Sequence, residues 1–132
     1  MRPSARRERF AAGTFRERVR TKMHDAMVER LHKGSCLCGA VTFEIDGALK
    51  APDACHCSQC RKTSGHYWAS TDIKEADLRL EGAENVTWFQ SSEGVKRGFC
   101  ATCGASLFWK PIARDVIEVP ANSTSRVPAP IA

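Results

Sequence analysis

The sequence predicts an all-β domain of short antiparallel strands stabilised by bound metal. Apolar and polar residues alternate after residue 33, as in Val41, Phe43 and Ile45, which is the period of a half-buried strand. Gly, Asn, Ser or Pro separate most of the candidate strands. The 132 residues include seven cysteines in three closely spaced groups, and domains of this size often add a structural metal to a modest core.

The first 33 residues are predicted to form a basic extension outside this domain. Residues 1–13 are polar and arginine-rich, which predicts disorder. Thr14 and Glu17 match a capping box, and apolar residues then recur every three or four positions, which predicts an amphipathic helix over about 15–31. A mitochondrial presequence is another interpretation, but the four acidic residues of 1–33 are more than such peptides usually contain. A solvated helix, or one that packs on a partner, agrees better with the sequence. A further interpretation is that the start codon is assigned too early and that the working protein begins at Met23 or Met27.

The rest of the chain is predicted to consist of strands and a tail. The predicted strands cover 40–45, 66–71, 78–80, 86–89, 95–99, 105–109 and 116–119. Asp46-Gly47, directly after the first of them, is a hairpin-turn signal. Residues 120–132, rich in Pro, Ser and Ala, are predicted to be a poorly ordered tail. Neither a secretory signal nor an apolar stretch near 18 residues is recognisable, so no membrane association and a cytoplasmic location are expected.

The positive charge is concentrated in the extension. Residues 1–33 contain ten Lys/Arg and four Asp/Glu, a net charge of +6 within the +5 of the whole chain. Residues 34–132 contain ten and eleven, a net charge of −1. A nucleic-acid-binding domain is expected to carry a basic face of its own, so the sequence predicts no nucleic-acid partner for the domain.

The cysteine spacing favours metal binding over disulfides. The groups are C-x-C at 36–38, C-x-C-x-x-C at 55–60 and C-x-x-C at 100–103. Thiols one or two residues apart bond each other only with strain, whereas together they can bind one tetrahedral zinc ion. An odd number of cysteines also argues against a complete disulfide framework. Core or redox cysteines are the alternative interpretation.

Two of the groups could form one closed site. Cys36 and Cys38 stand just before the first predicted strand, and Cys100 and Cys103 follow a strand in a knuckle that ends at Gly104. Two such pairs from separate hairpins would complete a four-cysteine zinc site, which has no open position and is therefore structural. Free thiols that merely pack are the alternative.

The middle group has three thiols and no cysteine left for a fourth ligand. Zinc bound by Cys55, Cys57 and Cys60 alone would keep one coordination position open, as catalytic zinc sites do. His56 or His66 could instead close the site, in which case it would be structural.

Three residues near this group are candidate catalytic residues. His56 and His66 could carry a proton to or from a substrate. Arg61, with the adjacent Lys62, could offset the negative charge of three thiolates or attract an anionic substrate. Two solvated charges on a loop are the alternative interpretation of that pair.

Three motifs resemble those of the glutathione-dependent formaldehyde-activating enzyme family, which includes centromere protein V. They are GSCLCGAV at 34–41, CHCSQCRKTSG at 55–65 and RGFCATCGA at 97–105. The resemblance covers residues 34–119 and implies a β-tent fold. It also implies two zinc ions per chain, a structural one on Cys36, Cys38, Cys100 and Cys103 and a catalytic one on Cys55, Cys57 and Cys60.

The resemblance further implies an activity. It is that of a carbon–sulfur lyase of the S-(hydroxymethyl)glutathione synthase type, whose partners are a small thiol such as glutathione and a small aldehyde. The alternative is a non-catalytic structural or interaction module stabilised by zinc, as in centromere protein V. Family members usually continue with further strands where this chain reaches Pro120, so part of the sheet or of the pocket wall is expected to be missing.

Overall fold

The structure, a computed structural model, describes residues 30–124. The predicted disorder of residues 1–13, nearly all of the helix predicted over 15–31 and the end of the predicted tail therefore lie outside the described residues. The strands are Leu31–Ser35 (β1), Thr42–Asp46 (β2), Asp53–Cys55 (β3), Trp68–Lys74 (β4), Leu78–Glu81 (β5), Val86–Ser92 (β6), Val95–Cys100 (β7), Ser106–Pro111 (β8) and Val116–Pro120 (β9). An α-helix, α1, covers Ser58–Ser64, and 3₁₀ helices cover Glu75–Asp77, Ala83–Asn85 and Ala121–Ser123.

The strands form two sheets. The smaller has the order β1-β2-β5, and the larger has the order β3-β4-β9-β8-β7-β6. Every strand pair is antiparallel. The expected all-β fold of short antiparallel strands is therefore confirmed.

The core lies between the two sheets. Val41, Phe43 and Ile45, which alternate along the chain as predicted, are at most 2% exposed. The ring of Phe43 lies 5.7 Å from that of Phe108 in β8, so the two sheets are in direct aromatic contact. Apolar side chains buried in this way supply most of the stability of such a domain.

One predicted turn has a different role. Gly47 has a φ of +115°, but Asp46-Gly47 does not join two paired strands, because β2 pairs with β1 and β5 and not with β3. The Gly47 N–H instead donates to the Arg30 carbonyl, ahead of β1. The hairpin prediction was wrong because a turn signal gives no information about which strand comes to lie alongside.

Strand pairing continues beyond residues 34–119 at both ends. β1 begins at Leu31 and pairs with β2 from there. Pro120 belongs to β9, and Thr124, which is buried, pairs with Gly34 at the outer edge of the smaller sheet. The start of the predicted disordered tail is thus held against the first strand by backbone pairing.

A truncation series should show the contribution of the start of β1. A protein that begins at Gly34 is expected to be about 2 kcal/mol less stable than one that begins at Arg30, because it loses the pairs of Leu31, His32 and Lys33 with β2. It also loses the hydrogen bond of buried His32 Nε2 with the Gly47 carbonyl, 3.0 Å long. Urea unfolding of both zinc-loaded proteins measures the difference, and equal midpoints would contradict it.

Candidate metal centres and the adjoining cleft

Four cysteines from two hairpin loops form the first sulfur cluster. Cys36 and Cys38 lie in the β1–β2 connection, and Cys100 and Cys103 lie at the β7–β8 connection. Their Sγ atoms all lie within 4.8 Å of one another, with separations of 3.6 Å between Cys36 and Cys38 and 3.8 Å between Cys38 and Cys100. Four sulfurs about 2.3 Å from one tetrahedral zinc would be about 3.8 Å apart. The cluster therefore fits a closed zinc site that joins the two sheets.

Backbone hydrogen bonds position both loops of this cluster. The Val41 N–H donates to Cys36 Sγ over 3.3 Å. Gly104, with a φ of +76°, turns the second loop so that its N–H donates to the Cys100 carbonyl. Asn85 holds the two loops together, because its side chain donates to the Ala40 carbonyl and its carbonyl accepts from the Ala101 N–H.

The Cys103 thiol has a lowered pKa. N–H groups of the Ala105 and Cys38 backbone donate to its sulfur, which, with smaller effects from neighbouring thiols, lowers its pKa to about 6. A thiolate is the form that binds zinc, so the loop favours the charged ligand before any metal arrives.

Three cysteines at the start of α1 form the second sulfur cluster. Cys55 ends β3, Cys57 is the N-cap of α1, and Cys60 lies in its first turn. The three Sγ atoms lie within 4.8 Å of one another, and among residues 30–124 no fourth Cys, His, Asp or Glu donor joins them. This donor set also fits zinc, and it would leave a fourth position without a protein ligand from the described residues.

The helix start separates the pKa values of two of these thiols. The Cys60 N–H donates to Cys57 Sγ over 3.4 Å and, with the neighbouring Cys55 and Cys60 thiols, lowers the pKa of Cys57 to about 7. Cys60 is only 4% exposed, and burial together with the Cys55 thiol raises its pKa to about 12. Of Cys57 and Cys60, Cys57 is therefore the thiol that ionises first in the metal-free protein.

The cation that contacts this cluster is Arg97, a residue to which the sequence analysis gave no role. Its Nη2 donates to Cys60 Sγ over 3.7 Å and lies 3.5 Å from Gln59 Oε1. Arg97 lies on β7, 37 residues away from Cys60 in sequence. It stands three residues before Cys100, on the strand leading into the other cluster, and this local sequence does not indicate that its side chain reaches Cys60.

The other candidate residues lie around the cluster. The rings of His56 and His66 both contact Tyr67, with centroid distances of 5.3 and 4.7 Å, and neither imidazole belongs to a sulfur cluster. Arg61 is an exposed residue in the last turn of α1. Arg97 on β7 thus makes a charged contact with Cys60, and the role expected of Arg61 stays a prediction.

Two cavities flank α1. The larger, called here the large cleft, has a volume of about 1010 Å³ and extends from the Cys36-Leu37 loop to His66, Tyr67 and the 121–123 turn. The smaller, called here the small cavity, has a volume of about 230 Å³ and lies beside Arg97. Thr63 and Trp68 line both. None of the three sulfurs of the second cluster lines either cavity, so Arg97 is the contact between this cluster and the small cavity.

Comparisons with known proteins agree with the resemblance. Residues 31–128 match the family model described as glutathione-dependent formaldehyde-activating enzyme. A Halomonas elongata protein, provisionally named as such an enzyme, is 36% identical over 86 residues, which are 59% of this chain and 55% of that protein. An uncharacterized lyase of Schizosaccharomyces pombe is 29% identical over 84 residues, 59% of this chain and 56% of its own length. The chain thus spans about half the length of these relatives.

A solved structure supports the fold. A Rhodobacter sphaeroides protein superposes with a TM-score of 0.62 at 30% identity, over 74% of this chain and 91% of that one. Within residues 30–124, no helix has both the length and the apolar character needed to cross a membrane.

Proposed function

The chain belongs to the glutathione-dependent formaldehyde-activating enzyme family, and from that premise we propose that it is a zinc enzyme joining a small thiol to a small aldehyde. Glutathione and formaldehyde are the proposed substrates, and the reverse reaction is that of a carbon–sulfur lyase. The observation that carries the proposal is the second cluster, in which three sulfurs have no fourth donor among residues 30–124. An open coordination position is what a substrate thiol requires.

Each cluster has its own proposed role. Zinc on Cys36, Cys38, Cys100 and Cys103 would be structural, since four protein ligands complete its coordination. Zinc on Cys55, Cys57 and Cys60 would supply a lowered pKa for the substrate thiol, so that the thiol reacts as a thiolate near neutral pH.

The bond changes are simple. The thiolate sulfur adds to the aldehyde carbon, a C–S bond forms, and the electron pair of the C=O π bond moves to oxygen, which then takes a proton. The Arg97 guanidinium, 3.7 Å from Cys60 Sγ, offsets part of the negative charge gathered by three thiolates. The large cleft offers the thiol a binding surface of the size used by small-molecule sites.

His56 and His66 are the proposed proton carriers. Both rings pack on Tyr67, which with His66 lines the large cleft. These tilted ring contacts do not involve the imidazole nitrogens, which a proton carrier uses. Either residue could accept the thiol proton and return it to the new hydroxyl group.

A cytoplasmic location is part of the proposal. All seven cysteines are free thiols and none is paired in a disulfide. Both clusters bind metal only while reduced, and the cytosol keeps thiols reduced.

Cobalt substitution tests the proposed function. Glutathione or cysteine added to the cobalt-loaded protein is expected to change the Co–S charge-transfer bands, because a fourth sulfur joins the second site. With ¹³C-formaldehyde present, NMR should then show the S-hydroxymethyl carbon formed faster than in buffer. Cys57→Ser is the matched control: it should keep the bands of the first site and lose the response to thiols.

A different result would favour a binding module. Spectra that stay fixed through millimolar glutathione and cysteine, with His66→Ala alone restoring a response, would show that His66 closes the second site. The chain would then be a structural or interaction module stabilised by zinc, and not an enzyme.

A further inference from the structure

Cys60 is the buried thiol of the second cluster. It is 4% exposed, whereas Cys57 is exposed at the N-cap of α1. Zinc binds the thiolate form of cysteine, and a buried anion is costly unless a cation or a hydrogen-bond donor stabilises it. Cys60 is therefore the ligand of this cluster that most needs a charged partner from the protein.

Arg97 is the cation that contacts this sulfur. Its Nη2 donates to Cys60 Sγ over 3.7 Å and to Gln59 Oε1 over 3.5 Å. Each terminal nitrogen of a guanidinium has two N–H groups, so one nitrogen can bind two neighbouring residues of α1. The cations that follow Cys60 in the sequence, Arg61 and Lys62, are exposed.

Arg97 starts from the interior of the larger sheet. β7 pairs with β6 on one side, where Arg97 stands opposite Phe89, and with β8 on the other, where it stands opposite Trp109. The Nε atom of Arg97 has no solvent-accessible surface. The guanidinium is thus attached to a strand fixed on both sides and is not a freely moving surface group.

The backbone of Cys60 is fixed as well. Its N–H donates to Cys57 Sγ over 3.4 Å, and its carbonyl accepts from the hydroxyl groups of Thr63 and Ser64 over 3.2 and 2.8 Å. These three partners all belong to residues 57–64. Arg97 is the partner of Cys60 that comes from the sheet, and it therefore links this ligand to the rest of the domain.

We infer that Arg97 is the positioning residue of the second metal site: it holds Cys60 in place as a ligand and draws electron density from its sulfur, so that zinc bound there accepts a fourth sulfur. This inference rests on the proposed function and extends the charge compensation proposed there to one ligand and to thiol binding. Three thiolates outweigh the charge of Zn²⁺, and the negative charge that remains opposes the entry of another thiolate. A charge-assisted hydrogen bond to one of them reduces this effect, as hydrogen bonds to sulfur tune the metal in iron–sulfur sites.

Zinc affinity and cobalt spectra of Arg97 variants test the inference. In Arg97→Met, competition with a chromophoric chelator should show that the second site binds zinc about 10–100-fold more weakly, the usual loss when a group that orients a metal ligand is removed. The Co–S charge-transfer bands of this site should move to longer wavelength, because a sulfur without its N–H donor gives up electron density more readily. Glutathione should bind the cobalt-loaded variant about tenfold more weakly.

Three further variants serve as controls. Arg97→Gln also removes the charge, and Arg97→Lys keeps the charge without the planar guanidinium, so the lysine variant should lie between the unmodified protein and the two neutral ones. Lys96→Met removes the neighbouring cation of β7, whose Nζ lies 4.7 Å from the centre of the Trp88 ring, and should leave zinc affinity and bands unchanged. The bands of the first site, recorded in Cys57→Ser, are the internal reference.

Several outcomes would overturn the inference. One is Arg97→Met, or Arg97→Gln if the first variant is insoluble, with the zinc affinity and the bands of the unmodified protein. Another is a loss of affinity in Arg61→Met that the Arg97 variants do not show, which would assign the charge contact to Arg61. A loss that Arg97→Lys does not partly restore, with bands that stay in place, would mean that Arg97 only packs α1 on the sheet.

These outcomes are separate from those of the proposed function. Cobalt spectra that respond to thiols equally in the unmodified protein and in the Arg97 variants would retain the thiol chemistry and overturn the role of Arg97. Arg97 variants with weakened zinc and shifted bands, in a protein whose spectra ignore thiols, would retain the contact that positions Cys60 and overturn the thiol chemistry.

Discussion

Cys103→Ser is expected to unfold the domain. The first cluster takes two sulfurs from the β1–β2 loop and two from the β7–β8 loop, so it joins the two sheets at one point. Binding of structural zinc contributes on the order of 10 kcal/mol, which is comparable to the whole stability of an ordinary domain, about 5–15 kcal/mol. The variant should therefore be insoluble, or soluble without a cooperative thermal transition.

The second cluster provides the control for this experiment. Cys57 is exposed at the start of α1, so Cys57→Ser should fold cooperatively and carry about half the zinc of the unmodified protein. Zinc content by mass spectrometry and unfolding by circular dichroism give both answers. A soluble Cys103→Ser protein that unfolds cooperatively and retains all its zinc would show that Cys103 is not a ligand of a structural metal.

Gly82→Ala should cause the second largest loss of stability. Gly82 has a φ of +75°, and a Cβ built there would lie 2.0 Å from the Ala40 carbonyl oxygen, a backbone atom. The left-handed conformation costs a side chain roughly 1–2 kcal/mol, and the clash adds a cost of the kind seen on overpacking. A loss of about 3 kcal/mol is expected, which for a domain of this size lowers Tm by roughly 10–20 °C.

Two other glycines separate the cost of the left-handed conformation from the cost of the clash with Ala40. Gly47 has a positive φ but open space around its Cα, so Gly47→Ala should show the conformational cost alone. Gly94 has open space and no positive φ, so Gly94→Ala should change stability by less than about 0.5 kcal/mol. A Tm for Gly82→Ala no lower than that for Gly47→Ala would show that the Ala40 loop moves away freely. That result would contradict the view that the hydrogen bond from Asn85 to the Ala40 carbonyl fixes this loop beside the first cluster.

The strands that could be predicted are those with a period of two. β2 is recognisable because Phe43 and Ile45 are buried while their neighbours are less so. β1 and β3 were missed, since three to five residues without a clear alternation become strands only through their partners. The helix α1 was also missed, because Ser58–Ser64 has no apolar repeat and depends on its ends, the Cys57 N-cap and Gly65.

The sequence by itself determined which groups that are close together in the chain could act together. Thiols separated by one or two residues can bind one ion together, so the spacing alone predicted that Cys55, Cys57 and Cys60 form a cluster, as the structure shows. The tertiary structure alone decided which distant groups approach them. Arg97 on β7 reaches Cys60, and Arg97 and Trp68 both line the small cavity, because the register of β4 and β7 brings the two strands' side chains there. Register depends on pairing across the whole sheet, and no local pattern around Arg61 or Arg97 contains that information.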